Sequence, residues 1–126
     1  MSEPHLAIKV VLLPKDTNPL GTIFGGVILS YVDLAAAVEA GRTAPLSFVT
    51  RAMNAVEFKE PVQVGDTVSF FTETVHVGRT SLTVRVNVEA ERWRGKTDER
   101  VKVTEAEVVL VAVDDQGRKR PIGGQV

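Results

Sequence analysis

The chain contains no cysteine. That absence removes a disulfide framework, a thiolate nucleophile and any metal site built on sulfur, and it is compatible with a reducing cytoplasm as the expected location. Histidine is scarce as well. His5 and His76 are the only two, they fall in different predicted strands, and no His-x-x-x-His or His-Glu-x-x-His spacing exists, so no metal is expected. The glycine pair Gly25-Gly26 is not part of a Gly-x-Gly-x-x-Gly or Gly-Lys-Ser/Thr pattern, which disfavours nucleotide hydrolysis. No serine sits in a Gly-x-Ser-x-Gly setting, which disfavours a serine hydrolase. Neither sign of charge is in excess: fifteen basic and sixteen acidic residues leave a net charge of -1, so no long-range field draws the chain to nucleic acid or to an anionic membrane. There is no apolar run near the ~18 residues of a membrane span, and Met1 to Pro14 has no leader-like pattern, so a soluble, unprocessed chain is expected. The one basic cluster, Arg118-Lys119-Arg120, reads first as a solvated tail, with phosphate contact as its alternative role.

What remains is ordinary globular material: 126 residues, 44% apolar and 25% charged. That is enough for one hydrophobic core, so a single domain over 1–126 is expected. Leu6 to Leu13 reads as a first strand stopped by Pro14, and Lys15-Asp16-Thr17-Asn18-Pro19-Leu20-Gly21 as a structured loop. From about Phe24 to Gly41 the pattern is helical, with only Ser30, Asp33 and Glu39 clearly polar. The apolar residues point almost all round that helix, so it is expected to be buried. Further strands are expected at Leu46 to Phe58, Thr67 to Val77, Ser81 to Arg94 and Val101 to Val113. Turns are expected at Pro61 to Asp66, Gly78-Arg79, Gly95 to Glu99 and Asp114 to Gly117. In the fourth strand Val84, Val86, Val88 and Ala90 alternate with polar residues, one face to the core and one to water. Val108 to Val113 is apolar at both parities, as in a central strand covered on both sides.

One long helix among about five strands joined by short turns predicts an α+β arrangement in which an antiparallel sheet wraps the helix. A helix apolar all round and a sheet with one helix to cover it leave surface that a lone subunit cannot hide. A two-fold homodimer follows, through joined sheets or adjoining helices.

The chemically interesting side chain is Asp33, a carboxylate in the middle of the apolar helix with Leu29, Ala36 and Ala37 three or four residues away. Burial without a partner would raise its pKa toward that of a general base working near neutrality. A structural role, bonded to an amide or to an arginine across the dimer, is the competing reading. Gly25-Gly26 lies about two turns earlier, where helix-start amides and the dipole can stabilise an oxyanion, so one helix could supply both halves of a hydrolytic site.

The run Pro14-Lys15-Asp16-Thr17-Asn18-Pro19-Leu20-Gly21-Thr22-Ile23-Phe24-Gly25-Gly26 followed by Asp33 resembles the signature of YciA-type acyl-CoA thioesterases. The resemblance continues through Phe58, Pro61, Val64-Gly65-Asp66, Val77-Gly78-Arg79-Thr80-Ser81 and Val111-Ala112-Val113-Asp114, with Gly117-Arg118 after it, and so covers nearly the whole chain. Phe24, where many other hotdog thioesterases carry histidine, matches this branch. The resemblance implies a hotdog fold, a homodimer as the minimal unit within a tetramer or hexamer, and CoA bound across the subunit interface. No cofactor is implied, since CoA is part of the substrate.

By the same resemblance Asp33 is the catalytic carboxylate, Asn18 faces the thioester or the attacking water, and Gly25 and Gly26 are the backbone donors. Gly78, Arg79, Thr80 and Ser81 form the turn that approaches CoA from the neighbouring subunit, and Arg118 and Lys119 are candidates for its phosphates. The expected activity is hydrolysis of acyl-CoA to free acid and CoA, with Asp33 as general base or as nucleophile through a mixed anhydride. Two alternatives stand beside it: a non-catalytic acyl-CoA-binding or sensor module, and a hotdog enoyl-CoA hydratase or dehydratase, which would need a histidine near the acidic residue.

Overall fold

The computed structural model describes residues 3–94 and 97–123. Five strands and one long helix follow the order β1 (His5–Val11), α1 (Gly25–Thr43), β2 (Ser47–Phe58), β3 (Thr67–Val77), β4 (Ser81–Arg94) and β5 (Thr97–Val113), with a single 3-10 turn at Pro14–Asp16. The strands form one sheet in the order β1-β3-β4-β5-β2, every neighbouring pair antiparallel. Helix α1 touches all five strands, so the sheet curls around it as expected. Among the described residues no helix is long and apolar enough to cross a membrane.

The core is the seam between helix and sheet. Ile28, Val32, Ala35, Ala36 and Ala40 of α1 meet Val68 and Phe70 of β3, Leu82, Val84, Val86, Val88 and Ala90 of β4, and Val108 and Leu110 of β5. Each large aliphatic side chain removed from water here contributes roughly 1.5–3 kcal/mol. The alanines let the helix axis approach the sheet closely. The other face of β4 carries Arg85, Asn87, Glu89 and Glu91, and Arg85 bonds Glu107 of β5 at 3.2 Å. The period-two pattern therefore sorts the strand into a dry face and a charged one.

Two expectations are corrected. Helix α1 is not buried all round: Gly26, Ser30, Leu34, Ala37, Val38 and Gly41 form an exposed stripe, with Leu34 at 56% and Val38 at 42% of full exposure. The stripe runs at helical spacing on the side away from the sheet, because one curled sheet reaches only one side of a helix. Strand β5 lies between β4 and β2 as an inner strand, with Val111 buried and Val109 half-buried on its outer face. It also begins four residues before Val101, since its backbone pairs Arg100 with Glu91 and continues to the pairing of Thr97 with Arg94. Thr97 to Glu99 thus belong to a strand rather than to the expected turn, while Gly95 and Lys96 lie outside the described residues.

Candidate active site

The helix start is built by the loop before it. Asn18 organises that loop: its Oδ1 accepts the amides of Leu20 and Thr22 at 2.9 and 3.2 Å, and its Nδ2 donates to Thr22 Oγ1 at 2.9 Å. Among the described residues the second amide hydrogen of Asn18 meets no acceptor. The Leu13 amide donates to Asp16 Oδ2 at 3.1 Å and Lys15 Nζ to Oδ1 at 3.0 Å, and this amide and then this ammonium hold the exposed Asp16 carboxyl below its ordinary range. The Asp16 carbonyl in turn accepts the Phe24 amide at 2.9 Å, and the Ile23 amide donates to Val62 O at 2.8 Å. The chain is therefore pinned on both sides as it enters α1.

Phe24 is the N-cap and gives the helix no side-chain hydrogen bond. The first-turn amides are thus left uncapped by the residue that usually serves them. The Phe24 ring crowds Gly26, while the Phe58 ring lies at ordinary contact distance from Gly25. A Cβ on Gly26 would lie 2.6 Å from Phe24 Cε2, and one on Gly25 would lie 3.4 Å from Phe58 Cζ. Beside Gly25 opens a cleft of about 330 Å³ lined by Ile23, Ile28, Phe58, Pro61 and Val62, with Lys59 and Glu60 at its rim.

Two turns into the helix stands Asp33, half-buried. It has a partner within the chain: Oδ1 accepts a hydrogen bond of 2.5 Å from Thr50 Oγ1 on β2. Thr50 was missed from the sequence because its partner is seventeen residues away. A second helix carboxylate was missed for the same reason. Glu39, 4% exposed, accepts from Arg42 Nη1 and Thr72 Oγ1 on Oε1 at 3.0 and 3.1 Å, and from Thr74 Oγ1 on Oε2 at 2.9 Å. Asp33 ties α1 to β2, and Glu39 ties it to β3.

The remaining sequence candidates gather at the other end of the molecule. The turn after β3 closes with Gly78 N donating to Ser81 O at 2.7 Å, Thr80 O accepts Ala112 N at 2.8 Å, and Arg79 O accepts Ile122 N at 2.8 Å. Arg118 and Lys119 follow a tight turn in which Asp114 Oδ1 accepts the amides of Gln116 and Arg118, both at 2.9 Å. Both side chains are exposed. This end adjoins the C-terminus of α1, where Thr43 meets Thr74 at 2.8 Å, whereas Gly25 adjoins Phe58 at the far end of β2. The two groups are separated by the length of a nineteen-residue helix, about 28 Å at 1.5 Å per residue. Within one chain, then, Asn18, Gly25 and Gly26 sit at one end, Asp33 in the middle, and Gly78, Arg79, Thr80, Ser81, Arg118 and Lys119 at the other.

A single long helix cradled by five antiparallel strands, opening on an uncapped pair of glycines and carrying one carboxylate midway, defines a hotdog-fold subunit. The chain belongs to the thioesterase superfamily, whose profile matches residues 20–94. It is 37% identical over 122 residues to an uncharacterised acyl-CoA thioester hydrolase of Haemophilus influenzae, covering 96% of this chain and 79% of that protein. It is 35% identical over 119 residues to the acyl-CoA thioester hydrolase YciA of Salmonella typhimurium, covering 94% and 90%. Among solved structures, the hexameric hotdog-fold thioesterase Cj0915 of Campylobacter jejuni superposes with a TM-score of 0.89 at 45% identity, covering 93% of this chain and 89% of that one.

Proposed function

We propose that this protein hydrolyses acyl-CoA thioesters to a free acid and CoA, with Asp33 as the group that activates water. The observation that carries the reading is the Asp33 carboxylate itself, aimed by a 2.5 Å hydrogen bond from Thr50 beside an exposed helix face. An ionised carboxylate so held has its second oxygen free to take a proton from water. The water oxygen adds to the thioester carbon, the carbonyl electrons move to oxygen, and collapse of that oxyanion expels the CoA thiolate, which takes up the proton.

In this reading helix-start amides receive the oxyanion. Gly26 and Asp33 are seven residues apart, about 10 Å along the axis. Rather than span that distance along one helix, the site in this reading is completed by a second subunit, whose helix start supplies the amides. The exposed stripe of Gly26, Ser30, Leu34, Val38 and Gly41 supports a homodimer in which two such helices run antiparallel. A two-fold axis crossing near Leu29 and Ser30 sets Asp33 of one subunit opposite Gly26 of the other. The same operation brings one subunit's Arg79 turn and its Arg118 and Lys119 toward the other's helix start, where a CoA phosphate would meet them and Asn18 would face the thioester. Assembly of such dimers into a hexamer is the arrangement that the Campylobacter protein suggests.

Release of free thiol from a panel of acyl-CoAs by the purified protein tests this directly. Turnover is expected with the wild type, and a lasting silence toward every acyl-CoA would refute the reading.

A further inference from the structure

Resting on that reading, we infer that the cleft beside Gly25 holds the acyl chain and that Phe58 sets its length limit, making the enzyme one for uncharged aliphatic acyl groups of short to medium length. Four observations carry this. The cleft begins at the helix start, so an acyl carbonyl held by the Gly25 and Gly26 amides has its alkyl tail at the cleft mouth. Its walls are Ile23, Ile28, Phe58, Pro61 and Val62; Ile23, Ile28 and Val62 are at most 5% exposed and cover an entering apolar chain on its inner side, while Phe58 and Pro61 line the open side. Its volume of about 330 Å³, at roughly 30 Å³ per heavy atom, holds about ten methylene-sized groups. Phe58 is half-exposed at the end of an edge strand, with its ring beside Gly25, where a methyl group on the glycine would just touch it. It is a wall that substitution can move without opening the core.

The rim excludes charge. Lys59, the one cation among the lining residues, is turned to the outer face of the sheet by Glu57 at 3.1 Å and Glu105 at 3.8 Å. Those carboxylates hold its ammonium above the ordinary lysine range. It presents its methylene stem to the cleft. Glu60, also at the rim, repels an acyl group that ends in a carboxylate. A dicarboxylic acyl chain would lose its hydration with no counter-charge to meet it.

The test is the ratio of kcat/KM for each acyl-CoA to that for acetyl-CoA, taken within each variant so that a general loss of activity cancels. For the wild type the ratio is expected to rise about three- to fivefold per added methylene and to level off at about ten carbons. Succinyl-CoA is expected to fall at least tenfold below butyryl-CoA. Phe58→Ala should extend the rise by about two to four carbons, and Phe58→Trp should shorten it, with Phe58→Leu as the milder change should the alanine variant not fold. An active enzyme whose ratios stay the same across all three variants places the chain elsewhere and overturns the inference while leaving the proposed hydrolysis intact. A wild type inactive on every acyl-CoA overturns both.

Discussion

The hydrogen bond between Thr50 and Asp33 fixes which lone pairs of the carboxylate remain for water. Removing the hydroxyl should therefore slow chemistry more than it weakens binding. Thr50→Val, nearly isosteric, is expected to lower kcat about ten- to a hundredfold with KM little changed, and Thr50→Ser to restore most of it. Asp33→Asn should lower kcat by roughly 10²–10⁴. Steady-state kinetics on one acyl-CoA checks all three, and a fully active Thr50→Val would mean the carboxylate needs no orientation. Asp33 could be picked out from the sequence because a charge among aliphatic residues contradicts its surroundings. Thr50 could not, since a threonine in a strand contradicts nothing. Glu39 shows the same limit from the other direction. It looks like a surface residue of a helix, and what buries it are two hydroxyls, Thr72 and Thr74, more than thirty residues on.

Among the elements, the segment between β2 and β3 holds the most weight for its size. Asp66, 3% exposed, accepts Arg92 Nε and the Gln63 amide, both at 2.9 Å, and Arg92 Nη2 also reaches Pro61 O. Val62 then accepts the Ile23 amide, so an ion pair on β4 fixes both the cleft wall and the approach to α1. Arg92→Leu leaves a buried carboxylate without its cation and is expected to cost about 3–5 kcal/mol. Urea denaturation measures this, and Asp66→Asn added to it should recover part of the loss. A loss below about 1 kcal/mol would show that the pair anchors nothing. Strands β3 and β4 were legible to the residue, β4 because Val84, Val86, Val88 and Ala90 alternate with polar residues and β3 because a run rich in β-branched and aromatic residues lies between two turn signals. The first four residues of β5 were not, because Thr97 to Arg100 are polar and are held by backbone pairing to β4, which leaves no period to read. The glycine pair was legible as a helix start, but the crowding of Gly26 by the Phe24 ring emerges only in three dimensions.

For the whole molecule, the 10 Å between Gly26 and Asp33 makes a measurable claim about who contributes what. Gly25→Pro removes one helix-start amide at the first helical position, where proline is tolerated and where a Cβ meets nothing closer than 3.4 Å, and Asp33→Ala removes the carboxylate. Each variant alone should be nearly inactive. Mixed in equal amounts after subunit exchange, they should regain about a quarter of wild-type activity, since half the two-fold dimers are then mixed and each mixed dimer has one intact site of two. No recovery despite proven exchange would place both groups in one chain. The sequence announced that a partner was needed, through a helix with too many apolar sides, but not where the axis falls. That depends on which side the sheet leaves open. Strand β2 adds a consequence of its own. It is twelve residues long, lies at the sheet edge, and departs from regular register twice, between Thr50 and Ala52 and between Asn54 and Glu57, where Ala55 takes a positive φ of 53°. A straight ribbon of that length would invite newly made chains to stack without end. Bent at two points, it can accept a neighbour only over a short stretch, and fibre growth is starved of a template.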